Sequence, residues 1–207
     1  MTNKKVIVDF DGTLVDCAAR DYTLYHNIMR DINETPLPFE PYWHMRRKPT
    51  DINELIAASS RAPDAAEKFL KLRSERHELP EYTKFDQPLP GTYFALWMMS
   101  KFFDVYVVSA RYNLQGLEEE ILRMGLNQRI KNVVAARTSD KTKAFEYVGP
   151  GVEAVIGDTE HDILPAKAMG LRSIAVTTGI RSREYLESLQ PDHVVDTLID
   201  ALGIIQP

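Results

Sequence analysis

Asp9 and Asp11 stand one residue apart, directly before Gly12 and Thr13, at the end of the short β-branched run Val6-Ile7-Val8. Side chains alternate along a strand with a period of two, so both carboxylates are expected on one side of the strand end, aimed at one point. Gly12 lets the chain turn away sharply, and Thr13 can hydrogen-bond the new turn. Read blandly, the segment is a turn rich in Asp and Gly. Two more aspartates, Asp158 and Asp162, follow a second apolar run, Ala154-Val155-Ile156. Four like charges at one end of a sheet would repel strongly unless neutralised. Hard carboxylate oxygens, few in number and with room for waters and a phosphate group, are what Mg2+ selects, and Lys141 can supply a further positive charge. Solvated loop tips would explain each acid singly, but not their shared position after strands. The chemistry these residues suit is metal-assisted work on an anionic ester.

Holding such groups together requires a sheet. Runs like Val6 to Val8 recur at Val105-Tyr106-Val107-Val108, Val133-Val134, Ala154-Val155-Ile156 and Ser173-Ile174-Ala175-Val176, and read as buried strands. Helical spacing fills the intervals at Tyr93 to Phe102, Leu117 to Met124, Lys141 to Tyr147 and Ile163 to Met169. This alternation predicts an α/β fold, a Rossmann-like parallel sheet flanked by helices, with ligands at the carboxyl ends of the strands. About seventy residues separate the first strand from the next helix and strand, far more than a loop needs. The insert carries amphipathic stretches at Ala18 to Ile32, Asp51 to Ala58 and Asp64 to Glu78, and Tyr22, Tyr25, Phe39, Tyr42 and Trp43 for a small core of its own. An α-helical cap inserted after the first strand is expected. Pro88 and Pro90 stiffen the return and Gly91 permits a turn. The expected organisation is a core of residues 1–15 and 88–207 with a cap of residues 16–87.

Along the chain the motifs resemble, in order, the four signatures of the haloacid dehalogenase superfamily. They are Asp9 to Thr13, then Ser109 with Ala110-Arg111, then Lys141 opening a helix, then Gly157-Asp158-Thr159-Glu160-His161-Asp162. Any one alone is weak; four in order, three of them ending strands, are not. The resemblance covers nearly the whole chain and points to the phosphoglycolate phosphatase-like branch. It implies that Asp9 attacks phosphorus to give an aspartyl phosphate, splitting one difficult hydrolysis into two displacements. Asp11 would protonate the leaving oxygen and later take a proton from water. Mg2+ would be held by the Asp9 carboxylate, the Asp11 backbone carbonyl and Asp158, with Asp162 steadying the metal shell or Lys141. Ser109 and the Ala110 N–H would hold phosphoryl oxygens. Dehalogenases and transport ATPases of the superfamily do not resemble this chain at Asp11, which favours hydrolysis of a small phosphorylated metabolite. A phosphohexomutase on the same scaffold, or a phosphate-ligand-binding protein without turnover, stands as the alternative.

Around this set lie candidates with two readings each. Arg111 either helps bind the substrate phosphate or is solvated beyond its strand, and Lys143 competes with the preferred Lys141 as phosphate ligand. Trp43-His44-Met45-Arg46-Arg47-Lys48 is expected as a specificity loop in which Arg46 and Arg47 meet substrate, against an exposed basic face with Trp43 in the cap core. His161 is expected near a helix start with no chemical role. In bulk, the 207 residues are 44% hydrophobic and 27% charged, which suits a globular enzyme, and the net charge of −5 argues against nucleic acid as a partner. The single Cys17 allows no intrachain disulfide and fits a reducing compartment. The segment from Met1 to Lys5 leads into no signal-peptide core, and no run reaches membrane-spanning length, so a cytoplasmic location without a membrane partner is expected.

Overall fold

The computed structural model describes residues 4–205. Residues 1–3 and 206–207, assigned to the core from the sequence, lie outside the described residues, as does most of the segment from Met1 to Lys5. The chain divides into two compact units, Met1–Asp16 with Gln87–Pro207, and Cys17–Asp86. It runs through β1 (Lys5–Val8) and β2 (Val15–Asp16), then through the helices of the second unit, α1 (Ala18–Asp31), α2 (Phe39–Arg46), α3 (Ile52–Ala57), α4 (Ala65–Arg76) and α5 (Pro80–Thr83). After β3 (Gln87–Pro88) come α6 (Thr92–Met99), β4 (Asp104–Ser109), α7 (Leu114–Arg123), β5 (Asn132–Ala135), α8 (Thr142–Val148) and β6 (Val152–Gly157). The last elements are α9 (Glu160–Ala168), β7 (Ser173–Val176), α10 (Arg183–Ser188), β8 (His193–Val195) and α11 (Leu198–Leu202).

Six of the strands form one parallel sheet in the order β5-β4-β1-β6-β7-β8. Val8, the last residue of β1, pairs with Val107 on one side and Ile156 on the other, so the residues just beyond β1, β4 and β6 emerge together at one rim. Both faces of this sheet are covered, as parallel sheets require. Val6, Val8, Val105 and Val107 pack with Leu96, Met99, Leu117 and Ile121 on one face. Ile7, Val108 and Val155 pack with Phe145, Val148 and Ala166 on the other. Successive residues therefore serve opposite cores, each fully buried side chain contributing ~1.5–3 kcal/mol, and the strand ends are held rigidly. β2 and β3 pair antiparallel, Val15 with Pro88 and Asp16 with Gln87, and bring both ends of the inserted segment together within the first unit.

This is the α/β, Rossmann-like parallel sheet flanked by helices that the alternation predicts. Periodicity misses β8, α10 and α11, because three to six residues with at most two buried positions carry too little pattern to read. It also misses α2, whose neighbourhood holds Pro36, Pro38 and Pro41. Pro41 lies in the first turn of that helix, where its missing N–H removes no helical bond.

The second unit is built on aromatics. Tyr25 and Tyr42 stack with centroids 4.3 Å apart, Phe69 joins them at 5.9 Å from Tyr25, and Phe39 meets Tyr22 edge to face at 5.2 Å. Within it lies a buried carboxylate, Asp21, in the first turn of α1. It accepts hydrogen bonds from Tyr42 Oη at 2.6 Å, Arg46 Nε at 2.8 Å and Arg73 NH1 at 3.0 Å. Burial works to push the Asp21 carboxyl up, but the two guanidiniums and the Tyr42 hydroxyl outweigh it and hold the group well below the usual carboxylate range. The segment from Trp43 to Lys48, expected as a loop, is instead the last turn of α2 and the turn after it. Trp43 packs on the aromatic core, and Arg46 is engaged inside the unit by Asp21, while Arg47 is half-buried.

Asp21 therefore makes a stability prediction with a defined sign. Its folded pKa lies below the unfolded value, so its contribution is complete above about pH 4 and is lost as pH falls through the folded pKa. Asp21→Asn, which leaves two guanidiniums short of a counter-charge, should destabilise the chain by about 3 kcal/mol near neutral pH. In urea unfolding followed at several pH values, the gap between wild type and variant should stay level from about pH 8 to about pH 5 and narrow below about pH 4. A gap that does not change on acidification would show that the carboxylate is not stabilised in the way its partners imply.

Candidate active site

Asp9 is the first residue beyond β1, and its N–H continues the ladder by donating to the Ile156 carbonyl at 2.9 Å. Asp158 follows β6 directly, and Asp162 is in the first turn of α9, where it completes a capping box with Thr159. Lys141 caps α8, with its side chain buried and its Nζ donating to Asp9 Oδ1 at 2.6 Å, Asp162 Oδ1 at 2.6 Å and the Val108 carbonyl at 3.1 Å. Asp9, Asp158 and Asp162 each place one oxygen within 4.8 Å of the others. Asp158 is fixed from behind, accepting from Thr13 Oγ1 at 3.3 Å and from the Ile180 N–H at 2.7 Å. Lys143, the rival of Lys141, is exposed on α8.

Glycine makes this crowding possible. A Cβ on Gly12 would lie 2.4 Å from Asp158 Oδ2, one on Gly179 would lie 2.0 Å from the same oxygen, and one on Gly157 would lie 2.1 Å from Asp162 Cγ. Gly12 also sits at φ +79°, which lets the chain leave the strand and return to Thr13. Neither Gly179 nor the Ile180 N–H was found from the sequence, since a missing side chain and a backbone donor carry no chemical type to read. The loop holding them, after β7, is tied to the first motif by Thr178 Oγ1, which donates to the Gly12 carbonyl at 2.7 Å.

The electrostatics show a shortage of positive charge. Burial, then the nearby Asp162, pushes the Asp9 carboxyl well up despite Lys141, and burial with Asp162 raises Asp158 to about 7. Lys141 moves the other way: burial would lower it, but Asp162 and Asp9 hold its ammonium above the usual lysine range. With all groups ionised, three carboxylates against one ammonium leave two negative charges in a desolvated place. Hard oxygen donors with that charge deficit fit a divalent cation, and the glycine walls fit a site that must keep its oxygens close.

Asp11 lies beyond β1, which ends at Val8, at a point where the chain is already turning. Its oxygens accept from Arg111 Nε at 2.9 Å and NH2 at 2.7 Å, and its charge also acts on Asp158. Arg111 NH1 in turn donates to Glu120, a buried carboxylate on α7 that the sequence did not single out. Arg111 is thus neither solvated nor open to solvent. Ser109, at the end of β4, is buried, and its Oγ accepts from the Arg111 N–H at 3.3 Å, which leaves the hydroxyl proton for another acceptor. Ala110 beside it is half-buried, and so is His161 at the start of α9, near Glu160, which is paired with Arg181.

A family model described as HAD-hydrolase-like matches residues 142–201, the stretch that contains Asp158 and Asp162. The phosphoglycolate phosphatase of Synechococcus elongatus is 25% identical over 208 residues, covering 97% of this chain and 96% of that protein. A higher identity, 36% over 65 residues, relates the chain to pyrophosphatase PpaX of Bacillus mycoides, but this match spans only 30% of either protein. Among solved structures, a haloacid dehalogenase-like hydrolase from Streptococcus pneumoniae superposes with a TM-score of 0.76 over the full length of both chains at 17% identity, a likeness of fold. With four motifs brought to one rim of such a sheet, the chain is similar to hydrolases of the haloacid dehalogenase type, and over its full length to a phosphoglycolate phosphatase.

Proposed function

We propose that the chain is a Mg2+-dependent phosphatase that hydrolyses a small phosphomonoester through an aspartyl phosphate on Asp9. The observation that carries this reading is the buried set Asp9, Asp158 and Asp162, two charges short of neutrality with Lys141 in place. Mg2+, held by Asp9, the Asp11 carbonyl and Asp158, with Asp162 in support, would supply positive charge against the phosphoryl oxygens. The rest of the chemistry falls to the protein. Lys141 orients Asp9 by one oxygen, leaving the other to attack phosphorus. The Ser109 hydroxyl and the Ala110 N–H hold phosphoryl oxygens as charge moves onto them. Asp11 gives a proton to the departing alcohol oxygen, then takes one from the water that cleaves the aspartyl phosphate.

The helical unit from Cys17 to Asp86 is read as the cap expected from the sequence, with Arg46 engaged inside it by Asp21. The substrate class follows from the relatives, one named for phosphoglycolate and one for pyrophosphate, and is proposed as a small phosphorylated metabolite. Among the described residues no helix is long and apolar enough to cross a membrane, and a cytoplasmic location is proposed.

Purified protein with Mg2+ should release inorganic phosphate from a panel that includes phosphoglycolate and pyrophosphate, in proportion to substrate consumed. Conversion of sugar phosphates with little free phosphate would instead mark a mutase, and silence across the panel a binding protein. Asp9→Asn should stay folded and lose about a thousandfold or more in kcat; an active variant would remove the proposed nucleophile. Binding to the folded state alone should raise stability by about 2.7 kcal/mol at a Mg2+ concentration 100 times Kd, seen as a higher Tm that chelation reverses. Asp158→Asn should abolish that rise, and an undiminished rise in the variant would place the ion elsewhere.

A further inference from the structure

We infer that Arg111 is a positioning residue for Asp11 and not a ligand of the substrate phosphoryl group, an inference that rests on the phosphatase reading above. Arg111 is 4% exposed, and Nε, NH1 and NH2 each donate to a carboxylate, two to Asp11 and one to Glu120. Its guanidinium lies 5.1 Å from the centre of the buried Phe10 ring, so the position of the fork is set by packing as well as by charge. Glu120 is itself buried on α7 and braces the guanidinium from the far side. With these N–H groups already given to carboxylates, a phosphate dianion would have to displace Asp11 or Glu120 to bind them.

What the fork does provide is orientation. Two parallel N–H donors fix the plane of a carboxylate, which a point charge cannot do. Two such bonds take up two of about four lone-pair sites on a carboxylate. The Asp11 side chain is 21% exposed, so the held carboxylate still reaches solvent. The proton that passes from Asp11 to the leaving oxygen, and the one that returns from water, can therefore move at a carboxylate whose orientation the fork has set. Arg111 acts only through Asp11, and its contribution should grow with the demand for a proton.

The test compares leaving groups in Arg111→Lys, which keeps a positive charge near Glu120 but loses the fork. A phosphate ligand would survive this change in large part, because lysine binds phosphate well as a point charge. The quantity read is kcat/KM, which covers steps up to release of the alcohol, with the Ki of inorganic phosphate as the measure of phosphoryl binding. For an alkyl phosphate, whose alkoxide must be protonated, kcat/KM should fall about tenfold or more, out of the hundredfold or greater benefit of a placed acid. For 2,4-dinitrophenyl phosphate, whose phenolate leaves unprotonated, it should fall less than about threefold, and the Ki should move by no more than that. Glu120→Gln keeps Arg111 and should show the same selectivity at smaller size, which secures the test if the lysine variant folds poorly. Equal losses on both esters, a raised Ki, or no change on either would overturn the inference. A wild-type protein that hydrolyses neither ester would instead bring down the phosphatase reading itself.

Discussion

Everything at the rim of this sheet depends on three carboxylates held close together out of water with one ammonium among them. Burial alone makes such a group unfavourable, and mutual repulsion makes it worse. It is tolerated because its framework is over-determined. Asp9 extends a strand buried on both faces, Asp158 follows the neighbouring strand, and Asp162 is locked into a capping box. Lys141 then ties two of them from the start of α8. Three glycines remove the side chains that would otherwise stand where the oxygens are. The charge shortage is thus built into a rigid frame, and relieving it by moving the acids apart would require moving the strands.

The same rim sets the second acid of the motif in different surroundings. Asp9 is desolvated among like charges, while Asp11, two residues on, is partly exposed and gripped by a guanidinium. Two neighbouring aspartates therefore stand in different electrostatic surroundings without differing in type, the kind of difference that lets a pair of carboxylates take separate roles. Gly12, at positive φ directly after Asp11, lets the chain turn so that Thr13 reaches Asp158.

Legibility in the sequence followed side-chain type and pattern. The long apolar strands could be read because each residue serves one of two cores, Asp9 and Asp158 because charged residues directly after such strands are unusual, and Lys141 because it opens a helix at its place in the motif order. Gly179 and the Ile180 N–H could not, because they act through an absent side chain and a backbone group. Glu120 stands in the run Glu118-Glu119-Glu120 of an amphipathic helix, where nothing local separates the buried member from its solvated neighbours. The Asp11–Arg111 pair joins residues 100 positions apart, and only the parallel order of β1 and β4 brings them together.

Asp21 supplies the comparison that gives the charge shortage its meaning. It is as deeply buried as Asp9, yet it has two guanidiniums and a tyrosine hydroxyl, and its carboxyl is held down where that of Asp9 is pushed up. One chain thus contains a carboxylate with more positive charge than it needs and a set of carboxylates with less. The first arrangement is complete without a ligand and makes sense as a brace within the helical unit. The second is complete only when something cationic joins it, and desolvation that is left uncompensated by the protein's own residues is what separates a functional carboxylate from a structural one. By the same measure Arg111 and Arg123, standing against Asp11 and Glu120, are matched within the protein's own residues, as Asp21 is.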